Sequence, residues 1–211
     1  GDVAIEMGYY HFTHLSLSEI PVVLSRTGWS GELGYEIILL DRNKGTELWD
    51  LCMYAVKEYN IQPACPSLAR SVEGGMLSYC SDITNADNPF TVGMERLLDI
   101  NKPQNYIGKE ALQRIAISGP ERRLVGANFS GVPVTPNEEF LDVYHRGSVV
   151  GHITRCVYSP RLKHNIALVN LPTELTKPGT DIKLDTHDGW QDAKVVELPW
   201  FSPQKIIPSS Q

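Results

Sequence analysis

Several large classes of protein are excluded by what this 211-residue chain lacks. No apolar run approaches the roughly 18 residues that span a bilayer, and no charged-then-apolar leader opens the sequence, so no membrane segment is expected. Basic residues are in the minority, 19 Lys and Arg against 25 Asp and Glu, which leaves a net charge of −6. A nucleic-acid partner needs a basic face and is not expected, although one or two arginines would still hold a small anion. The four cysteines, Cys52, Cys65, Cys80 and Cys156, form no C-x-x-C pair and no zinc-ligand spacing. They sit among apolar residues, where a free thiol packs as a small hydrophobe, and a reducing cytoplasm is the expected compartment. His11 and His14 are spaced like metal ligands but have no third ligand nearby, so no metal is expected. G-x-G-x-x-G and G-x-S-x-G are both absent, and Ser30 and Ser78 have no evident His or Asp partner.

What remains is an ordinary globular balance, 42% hydrophobic and 21% charged, long enough for one large or two small domains. The stretches 9–15, 20–26 and 34–41 read as strands, the last two as an antiparallel pair. The segment "GTELWDLCMYAVKEYN" places Leu48, Leu51, Cys52, Ala55, Val56 and Tyr59 on one helical face, with Thr46 as N-cap and Asn60 as stop. A second helix is expected from Pro66 or Ser67 to about Leu77, with Ser67 as N-cap and Gly74-Gly75 weakening its end. "SDITNADNPF" is turn chemistry, and 108–116 forms a third short helix. Beyond the linker-like 116–123 the pattern changes to short strands separated by Gly and Pro: "RRLVGANFS", "VVGHITRCVYS", "HNIALVNLP", "GTDIKLDT" and "DAKVVELPW". The expectation is an α+β part over 1–118 and an all-β part over 119–211, a small antiparallel barrel or sandwich.

One stretch stands out, "SRTGWSGELGYEI" at 25–37. Gly28, Gly31 and Gly34 would permit positive φ and close backbone approach around an aromatic, Trp29. Trp29 is either core, the commoner fate of a tryptophan, or a stacking wall for a flat heteroaromatic ring. Glu36 lies within an apolar strand. It either faces solvent or uses its two oxygens to accept parallel N–H bonds from an amino-pyrimidine-like edge. Arg70 either forms an exposed pair with Glu73 or anchors a ligand carboxylate or carbonyl. Tyr79 is either core or a hydroxyl offered to a ligand. Arg155 and Arg161 in "HITRCVYSPRL" either edge a cleft or, the preferred reading, decorate a barrel surface.

These motifs resemble a known family. "SRTGWSGELGYEI" is similar to the "RTGYTGEDGFEI" signature of the glycine-cleavage T-protein (aminomethyltransferase) superfamily. "ELWD", "ARS-x-E-G", "SDIT", "NPF", "YIGKEAL" and "VVGHITRCVYSPRLKHNIAL" follow in the family's order. Trp29 in place of tyrosine, with "YYHF", "KEYNIQP" and "SDITNADNPF", looks most like the dimethylsulfoniopropionate demethylase branch. The resemblance implies a partial folate-binding domain of ferredoxin-like α/β sandwich type followed by a C-terminal antiparallel β-barrel. It also implies tetrahydrofolate as one-carbon acceptor and a small-molecule methyl or aminomethyl donor. Residue by residue, it implies Trp29 as the pterin-stacking aromatic, Glu36 as the pterin-binding glutamate, and Arg70 and Tyr79 as further folate contacts. The family's catalytic aspartate is expected in an N-terminal portion outside this sequence, so no catalytic residue is assigned here. Cys80 departs from the family's usual Gly, and Arg155-Cys156 from its Ser-Gly. A chain without that neighbouring portion should expose apolar surface, and a homodimer through it is expected.

Overall fold

Residues 2–28 and 31–202 are described by a computed structural model, in which the chain divides into two compact units, one up to Ser67 and one over Leu68–Ser202.

In the first unit a short helix α1 (Asp2–Glu6) precedes three strands, β1 (Phe12–Leu17), β2 (Ile20–Ser25) and β3 (Glu36–Leu39). They form an antiparallel sheet in the order β1-β2-β3. The β1–β2 hairpin turns on Ser18 and Glu19 alone, both at positive φ (46° and 70°). That is the mirror-image turn whose twist suits paired strands, made here without the usual glycine. Of the three glycines before β3, Gly31 takes positive φ (73°), whereas a Cβ on Gly28 would meet nothing within 4 Å. The close approach expected at Gly28 is therefore not used within the folded chain.

Helix α2 (Gly45–Ala55) follows a single 3-10 turn, Arg42–Lys44. Asp41 caps that turn, its carboxylate accepting from the Asn43 N–H at 3.0 Å, whereas α2 itself starts after Lys44 with no side-chain cap and Thr46 already lies inside the helix. A second 3-10 turn ends at Asn60 in the left-handed conformation, as expected of Asn at a helix stop. Leu48, Leu51, Cys52 and Val56 are half-buried, while Ala55 and Tyr59 are exposed.

The second unit begins with α3 (Leu68–Glu73), shorter than the sequence pattern predicts. The two glycines explain the difference. Gly75 has φ 61°, its N–H donates to the Val72 carbonyl, and the Met76 N–H donates to the Ser71 carbonyl. This pair of bonds closes a helix on a left-handed residue. After the loop, α4 (Lys109–Ser118) runs between Gly108 and Gly119, both at positive φ.

Six strands then close a barrel: β4 (Arg122–Phe129), β5 (Leu141–His145), β6 (Ser148–Ser159), β7 (His164–Pro172), β8 (Asp181–Thr186) and β9 (Gly189–Val196). Their order around the barrel is β4-β7-β6-β5-β8-β9, with β9 pairing back to β4. Closure removes the unpaired edges an open sheet would present. The interior is filled by Ala127, Phe129, Val143, Ile153, Ala167, Val169, Leu171, Leu184 and Val195. A second cluster joins Ile166 and Leu168 of β7 to Leu124, Val157 and Val72 of α3. β7 is thus buried on both faces, which is why "NIALVNL" is nearly continuously apolar rather than alternating.

Candidate functional site

Pairing in the first unit's sheet aligns Phe12, Ser25 and Glu36 in one row and His14, Val23 and Ile38 in the next. Side chains alternate across a strand, so these six share one face. Phe12 is 66% and Ile38 53% exposed, and Glu36 is exposed with them. Among these six Glu36 is the one carboxylate, on an open face it shares with the apolar Phe12, Val23 and Ile38 and the polar His14 and Ser25. It is not loose: the Thr27 hydroxyl donates to its Oε2, and that hydroxyl also shares a 2.9 Å hydrogen bond with Ser25. Trp29 lies outside the described residues.

Arg70 is exposed on α3, and Tyr79 is 59% exposed in the loop that follows, where it bridges to Ile83. Beneath them lies a polar network. Asp82, its side chain fully buried, accepts from Arg155 Nε at 2.9 Å and from the Thr154 hydroxyl at 2.8 Å on Oδ1. On Oδ2 it accepts from the Ser78 N–H at 2.8 Å and pairs with Arg155 Nη2 at 2.6 Å. Arg155 also donates to Ser71 Oγ at 3.0 Å and to the Met76 carbonyl at 2.5 Å. Next to it, Glu73, only 2% exposed, accepts from Ser159 Oγ at 2.6 Å and lies 3.5 Å from Arg161 Nε.

This corrects three expectations. Arg155 does not decorate the barrel surface, because it is 8% exposed and paired with Asp82. Arg161 is partly buried against Glu73 and its guanidinium stacks 3.7 Å from the Phe201 ring centroid. Glu73 is no exposed partner on a helix face but a buried carboxylate turned to the barrel. Asp82, read from sequence as turn chemistry, was missed. The available signal was Arg155 itself, a charge inside an apolar strand run that must be satisfied if buried.

Among the described residues no group of three or more His, Cys, Asp or Glu could hold a metal, and no helix is long and apolar enough to cross a membrane. A groove of about 1600 Å³ on the barrel is lined by Tyr144, Trp190, Lys183 and Lys194 but by none of the sequence-selected ligand residues. A smaller cleft of about 570 Å³ is lined in part by Asp82, Arg122, Phe140 and His152. There the His152 ring stacks on Phe140 at 4.7 Å, and burial, with Arg122 adding, lowers its pKa. Burial pushes the Cys156 thiol up to about 11, so it stays protonated and inert.

The described geometry, a small sheet-and-helix unit followed by a closed six-stranded barrel, agrees with the comparisons. The GCVT N-terminal domain family model matches residues 2–102, and the glycine cleavage T-protein C-terminal barrel domain model matches 122–202. The dimethylsulfoniopropionate demethylase of Ruegeria pomeroyi is 29% identical over 200 residues, covering 95% of this chain and 54% of that protein. An aminomethyltransferase of a Synechococcus species is 35% identical over 197 residues, covering 90% of this chain and 51% of its own. The crystal structure of the glycine cleavage system aminomethyltransferase T of Bartonella henselae shares the fold with a TM-score of 0.74 at 19% identity, over 93% of this chain and 54% of that one. The chain spans about half the length of the curated relatives it matches. With two models of one family matched in order along most of its length, the chain belongs to the glycine-cleavage T-protein (aminomethyltransferase) superfamily.

Proposed function

We propose that this chain is the folate-holding part of a tetrahydrofolate-dependent one-carbon transferase, with methyl transfer of the dimethylsulfoniopropionate demethylase kind as its reaction. The observation that carries the reading is the open sheet face on which Phe12, Val23 and Ile38 accompany Glu36, the one carboxylate among its six aligned residues. Such a face suits a flat ring with an N–H edge: Phe12, Val23 and Ile38 exclude water beside the ring. Glu36, held by Thr27, accepts the edge N–H groups without having to be ordered on binding. Trp29 is assigned to stacking, and Arg70 and Tyr79 to the remainder of the folate. When bound, tetrahydrofolate supplies the nucleophilic nitrogen that takes up the one-carbon unit. The protein's part is to fix the position of that nitrogen, which is where most of the rate advantage of such a transfer lies.

Titration of tetrahydrofolate into this chain and into its E36A variant tests the assignment. A loss of about tenfold or more is expected, because a charge-assisted bidentate contact disappears. Equal binding by the two would sink it. The aminomethyltransferases, at 35% identity, favour a second reading in which the transferred group is an aminomethyl unit. In the longer protein, activity on a lipoyl-carried aminomethyl group with none on dimethylsulfoniopropionate would decide for that reading. Folate uptake without either activity would mark a non-catalytic folate binder.

A further inference from the structure

Against β7, His152 and Ile153 of β6 pair in turn with Asn170 and Val169, and the register then slips so that Arg155 pairs with Leu168. The slip is a β-bulge at Thr154, and it has a visible effect. Neighbouring side chains of a regular strand point to opposite faces, yet here both Thr154 and Arg155 bond the same Asp82 oxygen, at 2.8 and 2.9 Å. Ile153 and Cys156 both face the barrel interior, so the bulge turns Arg155 to the outer face beside Thr154, and both reach one carboxylate there. From that pair three bonds reach the segment carrying Arg70 and Tyr79. Arg155 holds Ser71 Oγ, beside Arg70, and the Met76 carbonyl, while Asp82 holds the Ser78 N–H, beside Tyr79, and pairs with Arg155 itself. The loop closes on itself through the Cys80 N–H to the Ile83 carbonyl at 2.8 Å and the Tyr79–Ile83 bridge. Both charged partners are buried, so the pair is not a surface decoration.

We propose that the bulge-presented Arg155–Asp82 pair is a positioning unit that sets the places of Arg70 and Tyr79 for folate, so that Arg155 governs affinity through residues it does not belong to. The inference rests on the folate reading above for its ligand. In the family pattern that the sequence resembles, serine stands at this position. The planar guanidinium suits the task, because it reaches a carboxylate, a hydroxyl and a carbonyl from one rigid fork, which a lysine cannot.

The test uses the paired swap D82L/R155M, which removes both charges and leaves neither orphaned in the interior. Tetrahydrofolate affinity of the chain is expected to fall about tenfold or more, and the same swap in an R70A background to cost markedly less, because coupled residues are non-additive. R155K, which keeps the charge but not the fork, should fall between. No loss on the swap, or the same loss in both backgrounds, overturns the proposal. Amide exchange gives a readout that needs no folate. The amides of Met76, Ser78 and Cys80 should exchange about tenfold faster in the swap while β7 and β9 keep their protection. Unchanged exchange in that segment overturns the proposal as well. Should the swap fail to fold, R155K carries both measurements. A wild-type chain that takes up no tetrahydrofolate would remove the folate reading, and the exchange result would still decide whether the pair positions the loop.

Discussion

The two units treat their apolar residues differently. In the barrel unit, strand after strand contributes fully enclosed side chains, among them Val143, Ile153, Leu168, Val169, Leu171, Leu184 and Val195. In the unit up to Ser67 the buried hydrophobics among the described residues are Met7, Ile20 and Val22, while Phe12, Ile37, Ile38, Leu40, Trp49 and Tyr54 lie exposed. A closed barrel supplies its own inside. A three-stranded sheet has two faces, and here one of them is left open. The lesson is that stability and recognition are divided along the chain. The barrel unit has the core that resists change, and the first unit displays the apolar surface that marks an interaction site.

Glycines offer the sharpest way to break that contrast. A Cβ on Gly151 of β6 would stand 2.0 Å from the Asn170 carbonyl oxygen, so G151A must push β6 and β7 apart. A loss of about 3 kcal/mol or more is expected in urea unfolding, the mark of backbone overpacking. G28A, with nothing within 4 Å, should be neutral or slightly stabilising by comparison. A large penalty for G28A would show that the first unit is more tightly packed than its exposure implies. Next in size, L168A removes a fully buried side chain beneath α3 and should cost about 2–5 kcal/mol. I38T, on the open face, should stay within about 0.5 kcal/mol. Similar costs for both would erase the distinction.

Thiol chemistry gives a third comparison. Cys65 and Cys80 are exposed, whereas Cys156 is buried with its pKa raised to about 11. A maleimide reagent at neutral pH should label the first two within minutes and reach Cys156 only after denaturant unfolds the barrel. Early labelling of Cys156 would mean that the barrel opens locally. The smallest effect expected is a pH dependence from His152. Its folded pKa lies below the ordinary value of 6.5, so the neutral ring is the one the barrel accepts. The corresponding stability is complete above about pH 6.5 and declines as pH falls through that value toward the lower folded pKa. H152Q should flatten that decline in melting temperature by about a degree or two. An unchanged slope between pH 7 and 5 would assign the effect elsewhere.

Much of this fold was legible in the residues. The apolar periodicities placed β1 to β4, β6 to β9 and the three main helices, because hydrogen-bonding period and side-chain alternation are local properties. β5 was missed: "LDVYH" is short and contains Asp142, and its turn is made by Arg146 and Gly147, both at positive φ. Of the candidate ligand residues, Glu36 is found on the open sheet face, and Arg70 and Tyr79 are exposed on α3 and its following loop. Their role in holding folate is the proposal made above.

By itself, the sequence determined the order of most elements, the change from helix-and-sheet to barrel, and the family, since each is written in periodicity, punctuation and motif order. Only the tertiary structure decided which charges are buried. Asp82 and Arg155 are 73 residues apart, and nothing local to either says that a bulge will bring them together. Glu73 looks like any helical glutamate until Ser159, 86 residues away, donates to it. Satisfying a buried charge takes partners from distant strands, and that choice is made by packing rather than by the pattern around the charge.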